Sequence, residues 1–213
     1  MLITLEGIDG CGKTTQARRL ADALGAAGME VTRTREPGGS PGAEEIRRLL
    51  VEGDPARWSP ETEILLFSAA RRDHLERTIR PALEAGHIVI SDRFADSTRV
   101  YQGAARGDLR ALVDMIHDAV IAKDPDLTFV LDMEAGPALA RGLARRSGED
   151  RFEDLGAGFQ QRLRQGFRAL AREYPARVVL IDAARTPEAI ACDIAEIALD
   201  RIASHIEAGG DVA

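Results

Sequence analysis

The sequence predicts an α/β fold of three layers, a five-stranded parallel sheet flanked by helices. Three observations carry that expectation. Short apolar runs recur at Leu2–Leu5, Val31–Thr34, Ile88–Ser91, Leu127–Leu131 and Val178–Ile181, each long enough for one buried strand. Helical patterns fill the intervals, at about 13–27, 42–52, 60–84, 108–122, 135–145, 155–173 and 186–204, and such alternation implies right-handed crossovers between parallel strands. A glycine-rich turn joins the first strand to the first helix, where ligands of open parallel sheets gather, beyond the carboxyl ends of the strands.

At 213 residues the chain reads as one domain, 1–213, large enough to bury its own core. Hydrophobic residues at 45% and charged residues at 30% are ordinary for a soluble globular protein. No run approaches the roughly 20 apolar residues of a membrane span. Met1-Leu2-Ile3-Thr4 leads directly into the first expected strand, so no signal peptide is expected. Cys11 and Cys192 are too few for a disulfide framework, so a cytoplasmic location is expected. A net charge of −7 argues against a nucleic-acid polymer as partner.

The first strand ends in "LEGIDGCGKTTQ", Leu5 to Gln16, which fits G-x-x-x-x-G-K-[ST] with Gly7, Gly12, Lys13 and Thr14 in the fixed slots. The loop Gly7, Ile8, Asp9, Gly10, Cys11, Gly12, Lys13, Thr14 and Thr15 is expected to wrap its backbone N–H groups around phosphates at a helix N-terminus. Lys13 would bridge the β- and γ-phosphates and Thr14 would offer its hydroxyl to Mg²⁺. Of 28 basic residues only Lys13 and Lys123 are lysines. A lysine inside this loop therefore stands out, since a compact ammonium reaches between phosphates where a guanidinium fits poorly.

The second strand leads into "TREPGGSPG", where Pro37, Gly38 and Gly39 force an irregular turn. The turn is either a plain connection or a device that sets Arg35 and Glu36 at the crevice rim. Next comes "EILLFSAARRDHL", with Phe67, Arg71 and His74 on one helix face. An aromatic plate one turn from a guanidinium suits a flat heterocycle with exocyclic oxygens. Spacing alone favours the plainer reading, Phe67 in the core with Arg71 snorkelling, and His74 reads as structural.

The third strand opens into "VISDRFADSTRVYQG", where Asp92 would hold Mg²⁺ through water and Arg93 would grip a phosphate. The rival reading is a surface ion pair of little worth. Asp132 in "FVLDM" also ends a strand and ranks second for the metal. In "LARRSGEDRFED", Arg145, Arg146 and Arg151 form either a solvated charge run or a flap over a triphosphate, at about 142–153. Residues 207–213 read as a frayed tail.

Taken together, "EGIDGCGKTTQ", "TREPGGSPGAEEIRRLL", "LLFSAARRDH", "SDRFADSTRVYQG", "PDLTFVLD" and "DRFE" resemble bacterial thymidylate kinase, in order, from about Leu2 to about Ile202. The resemblance implies the P-loop nucleoside monophosphate kinase fold, ATP as donor, dTMP as acceptor, Mg²⁺ and a homodimer. It implies that Asp9 takes the sugar 3′-hydroxyl and that Arg93 holds the acceptor phosphate. Phe67 would stack on thymine, Arg71 would donate to its O4, and Arg47 would approach the same edge. Ser97, Thr98 and Gln102 would border base and sugar, and Tyr101 would close the space of a 2′-hydroxyl. Glu36 would support the metal and the acceptor.

Members of this family that carry a catalytic arginine inside the loop would have it among Asp9, Gly10 and Cys11, and none stands there. The resemblance is thus to the subtype whose catalytic basic residues lie in the lid, here Arg145, Arg146 and Arg151. Phe94 follows the Asp-Arg pair where tyrosine or histidine is frequent, which removes a polar tip. Two rivals stand beside this reading: a kinase for another monophosphate, dUMP being nearest, and a guanine-nucleotide switch. The switch requires an Asn-Lys-x-Asp reader, and the chain contains no asparagine.

Overall fold

A computed structural model describes residues 1–54, 57–104, 107–143 and 156–210. Five strands, β1 (Leu2–Glu6), β2 (Val31–Arg35), β3 (Ile88–Asp92), β4 (Leu127–Asp132) and β5 (Val178–Asp182), form one sheet in the order β2-β3-β1-β4-β5. Every pairing is parallel, as alternation of strand and helix requires. Each strand runs one residue past its predicted end and finishes on a charged side chain: Glu6, Arg35, Asp92, Asp132 or Asp182. Backbone pairing continues through the charge, for Leu5 is in register with Asp92 and Asp132 with Asp182. The carboxyl edge of the sheet is therefore an ionic rim above an apolar core.

Around the sheet lie α1 (Lys13–Ala26), α2 (Pro41–Val51), α3 (Pro60–His74), α4 (Arg80–Glu84), α5 (Ala95–Thr98), α6 (Arg110–Ile116), α7 (Ala135–Leu143), α8 (Gly156–Glu173) and α9 (Pro187–Gly210). The predicted helix 60–84 is continuous but passes through a π-helical turn at Leu75–Ile79. Its start is set by Ser59, whose hydroxyl accepts from the Thr62 N–H, with Pro60 in the first turn. The sequence reading did not anticipate α5 or the π-helical stretch Arg99–Ala104 after it. Four helical residues after a strand are too few for a periodic signal. Helix α9 is described to Gly210, so residues 207–210 of the expected tail are helical; Ala203 to Ala208 contain no breaker. Residues 211–213 lie outside the described residues.

Alternate side chains of β1 sort to different cores, as strand periodicity dictates. Ile3 and Leu5 join Leu20 and Leu24 of α1, Phe129 and Leu131 of β4, and Phe167 of α8. Leu2 joins Val89, Leu75, Ile79, Phe94 and Ile121 in a smaller cluster. Glu6, in phase with Leu2 and Thr4, is fully buried.

Candidate active site

The glycine-rich turn bridges β1 and α1 at the centre of the sheet. Gly7 has φ +133°, and a Cβ there would stand 2.7 Å from the Leu131 carbonyl oxygen of β4, so no other residue fits. Gly12 caps α1 in the left-handed region, and the first turn of that helix holds no acidic residue, leaving its positive end free for an anion. Lys13 is buried, its Nζ donating to the carbonyls of Ile8 at 2.8 Å and Gly7 at 3.1 Å, with Asp9 at 3.9 Å. The side chains of Ile8 and Cys11 face the core, so only their backbone groups are available to a ligand. Burial pushes the Cys11 thiol up despite Lys13 and Arg93, which makes it a packing atom.

Strand β3 lies beside β1 and sets the Asp-Arg pair next to the loop. Asp92 accepts from the Thr14 hydroxyl at 2.5 Å, so the two residues expected at a metal meet each other. Arg93 has φ +72°, a left-handed backbone that few non-glycine residues adopt. That conformation aims its guanidinium between the loop and the neighbouring cleft. Nη1 donates to Gly7 O at 3.3 Å and Ser97 Oγ at 3.0 Å, while Nη2 donates to Asp9 Oδ1 and to the Tyr101 hydroxyl. Tyr101 in turn donates to Asp9 Oδ2 at 2.9 Å. Burial works to raise the Asp9 carboxyl, but Arg93 and Lys13 outweigh it and hold Asp9 below the usual range.

The cleft is lined by Asp9, Glu36, Arg47, Phe67, Arg71, Arg93, Phe94, Ser97, Thr98, Tyr101 and Gln102, together with Pro37 and Val51. All ten residues expected to hold the acceptor nucleotide thus converge from the β1–α1 loop, the β2–α2 turn, α2, α3 and the segment after β3. Phe67 is a half-buried wall of this cleft and not a core residue, and Arg71 is buried, not snorkelling. Arg71 Nε donates to Glu36 Oε2 at 2.8 Å, Nη2 donates to Thr98 Oγ1 at 3.0 Å, and the guanidinium lies over the Phe94 ring at 5.2 Å. Its Nη1 takes no protein partner among the described residues. Phe94 serves as the floor beneath that guanidinium.

Glu36 is consumed by this arrangement. Its second oxygen, Oε1, lies 3.1 Å from His74 Nδ1, whose other nitrogen meets the Thr34 hydroxyl at 2.7 Å. Gly39 at φ +86° allows the contact, since a Cβ there would sit 2.4 Å from His74 Nε2. Glu36 therefore orients Arg71, with one protein partner on each of its oxygens. His74 is structural, as its sequence position suggests, in the service of the base cleft. Asp132 is also occupied: Arg164 bonds it at 2.6 Å and 3.0 Å, and Arg168 at 3.0 Å. Gln102 is fixed by Glu63 at 3.1 Å, and Arg47 donates to the Pro37 carbonyl.

The donor set suits Mg²⁺. A hydroxyl and a carboxylate side by side at a phosphate loop are hard oxygen ligands, and Mg²⁺ binds through one or two such groups plus substrate phosphates and water. Among the described residues no group of three His, Cys, Asp or Glu side chains could hold a metal alone. Arg145, Arg146 and Arg151 lie outside the described residues. Sequence reasoning missed Glu6, and the available signal was a carboxylate in phase with Leu2 and Thr4 on a strand otherwise buried.

A phosphate loop that opens onto a second anion site and a slot for a flat base defines the P-loop nucleoside monophosphate kinases. Among these, the family model for thymidylate kinase matches residues 5–194. The chain is 66% identical to the thymidylate kinase of Jannaschia sp. strain CCS1 over 203 residues, 95% of this chain and 98% of that one. It is 67% identical to the thymidylate kinase of Dinoroseobacter shibae over 193 residues, 91% and 93% of the two chains. The crystal structure of thymidylate kinase from Ehrlichia chaffeensis matches with a TM-score of 0.76 at 35% identity, covering 93% of this chain and 98% of that one. The chain belongs to the thymidylate kinase family. It is a kinase that transfers the γ-phosphoryl of ATP to dTMP, giving ADP and dTDP for dTTP synthesis.

Proposed function

We propose that the described residues divide this reaction between a donor half and an acceptor half joined by Arg93. The backbone N–H groups of residues 7–15 and Lys13 hold the ATP phosphates at the positive end of α1. Thr14 and Asp92 would hold Mg²⁺, which when bound would supply charge neutralisation to the transferred phosphates. Phe67 stacks on thymine, Arg71 Nη1 donates to O4, and Asp9 accepts the 3′-hydroxyl. Arg47, Ser97, Thr98 and Gln102 complete the walls, and Tyr101, held by Asp9, fills the space of a 2′-hydroxyl. Glu36 acts on the nucleotide through Arg71.

The acceptor oxygen of dTMP is already anionic, so the reaction needs no general base. The protein aligns two anions and offsets their repulsion. The observation that carries this reading is the position of Arg93, whose guanidinium touches Gly7 and Asp9 of the loop and Ser97 and Tyr101 of the cleft. A cation at that seam serves the acceptor phosphate without leaving the loop. Arginines from the lid, Arg145, Arg146 and Arg151, are assigned by family resemblance to the transferred phosphoryl.

A coupled ADP-release assay over dTMP, dUMP, UMP, CMP, AMP and GMP tests the base and sugar assignments. The expected order is dTMP first, then dUMP, with UMP lower still; AMP or CMP exceeding dTMP tenfold would remove the thymine reading. The metal assignment has its own readout. Asp92→Asn is expected to raise the Mg²⁺ concentration for half-maximal turnover about tenfold while the KM for dTMP stays within about twofold. An unchanged Mg²⁺ dependence counts against Asp92.

We also propose a homodimer and a cytoplasmic location. Leu65 on α3, Met115 on α6 and Val120 in the π-helical turn His117–Ile121 are exposed apolar side chains. Arg72 of α3 donates to the Val120 carbonyl at 2.7 Å, so these elements share one flank. Among the described residues no helix is long and apolar enough to cross a membrane.

A further inference from the structure

Glu6 is a buried acid beside Arg93 with no part in the proposed reaction. Glu6 closes β1, is fully buried, and lies where the chain emerging from β3 makes its left-handed turn at Arg93. Its Oε1 accepts from the N–H groups of Phe94 at 2.8 Å and Ser97 at 3.2 Å. Its Oε2 accepts from the Ser97 hydroxyl at 2.6 Å. The same Ser97 oxygen accepts from Arg93 Nη1 at 3.0 Å. Hydrogen bonds thus run in one direction, from the Arg93 guanidinium through the Ser97 hydroxyl to the Glu6 carboxylate.

These bonds straddle the one residue of the turn whose backbone is unfavourable. The Arg93 N–H donates to Leu5 O at 3.0 Å, its carbonyl accepts from Ser91 Oγ at 2.7 Å, and Glu6 ties down the next N–H and the start of α5. A non-glycine residue in the left-handed region is strained and persists only when its surroundings over-determine it. Buried carboxylates are rare unless paired, and this one faces backbone donors instead of a metal or substrate.

We propose that Glu6 is a positioning residue for the reaction: it locks the left-handed turn and, through Ser97, aims Arg93 at the acceptor phosphate. The inference rests on the reading of Arg93 as the grip on that phosphate. Losing Glu6 leaves Arg93 in the site but lets the turn relax and frees Ser97 from its acceptor. Acceptor binding then suffers while the phosphate loop, anchored by Gly7 and Lys13, retains its hold on ATP.

Protonation gives the proposal a second edge. Burial first, then the neighbouring Asp96 charge, push the Glu6 carboxyl up to about 7, against the bond from Ser97 and the charge of Arg93. The charged groups around it are Arg93 on the turn after β3 and Asp96 on α5. Asp96 stays ionised because Arg177 and Arg99 outweigh its burial. Protonated Glu6 would donate to Ser97 instead of accepting, so the Ser97 hydroxyl would lose its carboxylate acceptor and Arg93 its indirect link to a negative charge. Ionisation as pH rises through about 7 therefore favours dTMP binding.

The test measures KM for dTMP and for ATP from pH 6 to 8 in wild type, Glu6→Ala, Glu6→Gln and Arg93→Ala. The expected result for Glu6→Ala is a KM for dTMP raised at least tenfold at pH 8, with the KM for ATP within about threefold. Glu6→Gln keeps both backbone bonds but donates to Ser97, so it should match wild type at pH 6 and fall behind several-fold at pH 8. The second ionisation of the dTMP phosphate, near pH 6, is common to both proteins and cancels in that comparison. Parallel pH profiles for wild type and Glu6→Gln, or equal rises in both KM values for a folded Glu6→Ala, overturn the proposal. Should Glu6→Ala fail to fold, the Glu6→Gln profile decides alone. An unchanged KM for dTMP in Arg93→Ala would sink the underlying reading of Arg93; a large rise there with no effect at Glu6 sinks this inference only.

Discussion

Lys13→Ala is expected to lower kcat by about 10³-fold or more while the chain keeps its fold. The ammonium is buried and held by the Ile8 and Gly7 carbonyls at 2.8 Å and 3.1 Å. Those carbonyls belong to the loop that surrounds the phosphates, so exchange of a carbonyl for a phosphate oxygen needs only a small side-chain movement. Removing the group strands no opposite charge, because Asp9 retains Arg93 and Tyr101. A circular-dichroism melt alongside the coupled assay separates the two effects. Wild-type turnover in this variant would remove the loop from the chemistry.

Arg71→Leu is expected to act on stability and recognition together. Arg71 and Glu36 are each only 4% exposed at the side chain, and Glu36 would keep His74 alone. Breaking a buried pair from one side costs about 3–5 kcal/mol, since the remaining charge stays desolvated. In a chain of this length that lowers the melting midpoint by roughly 10 °C. Loss of a charged donor at thymine O4 raises the KM for dTMP by about 10- to 100-fold. The double variant Arg71→Leu/Glu36→Gln removes the orphaned charge, so it should recover much of the melting midpoint and none of the dTMP affinity. Recovery of both would mean that Arg71 only maintains the fold.

The strands and their parallel sense were legible because five apolar runs alternate with helical patterns, and the phosphate loop was legible because its geometry demands glycine and lysine at fixed spacing. The acceptor cleft was half legible. Phe67 and Arg71 share a helix face, but periodicity cannot distinguish a face turned to a cleft from one turned to the core. What decides it is Glu36, which arrives from the β2–α2 turn and draws the guanidinium inward. The role of Glu6 was hidden for a similar reason: its three donors lie about ninety residues away in the sequence, across the pairing of β1 with β3. The short helix α5 escaped because its start is set by that same distant carboxylate and not by a local cap.

Arg71 carries nothing but N–H groups, and its bonds to Glu36 and Thr98 over the Phe94 ring hold it in place, so at the proposed base site it can only donate. A pyrimidine with an amino group at position 4 would bring hydrogens against hydrogens there. Neither side could accept, and the stranded guanidinium hydrogen would cost about 1–3 kcal/mol, roughly 10- to 100-fold against dCMP. The cell's cytosine and thymine deoxynucleotides would then be kept apart by the polarity of a single exocyclic atom, with no steric wall needed.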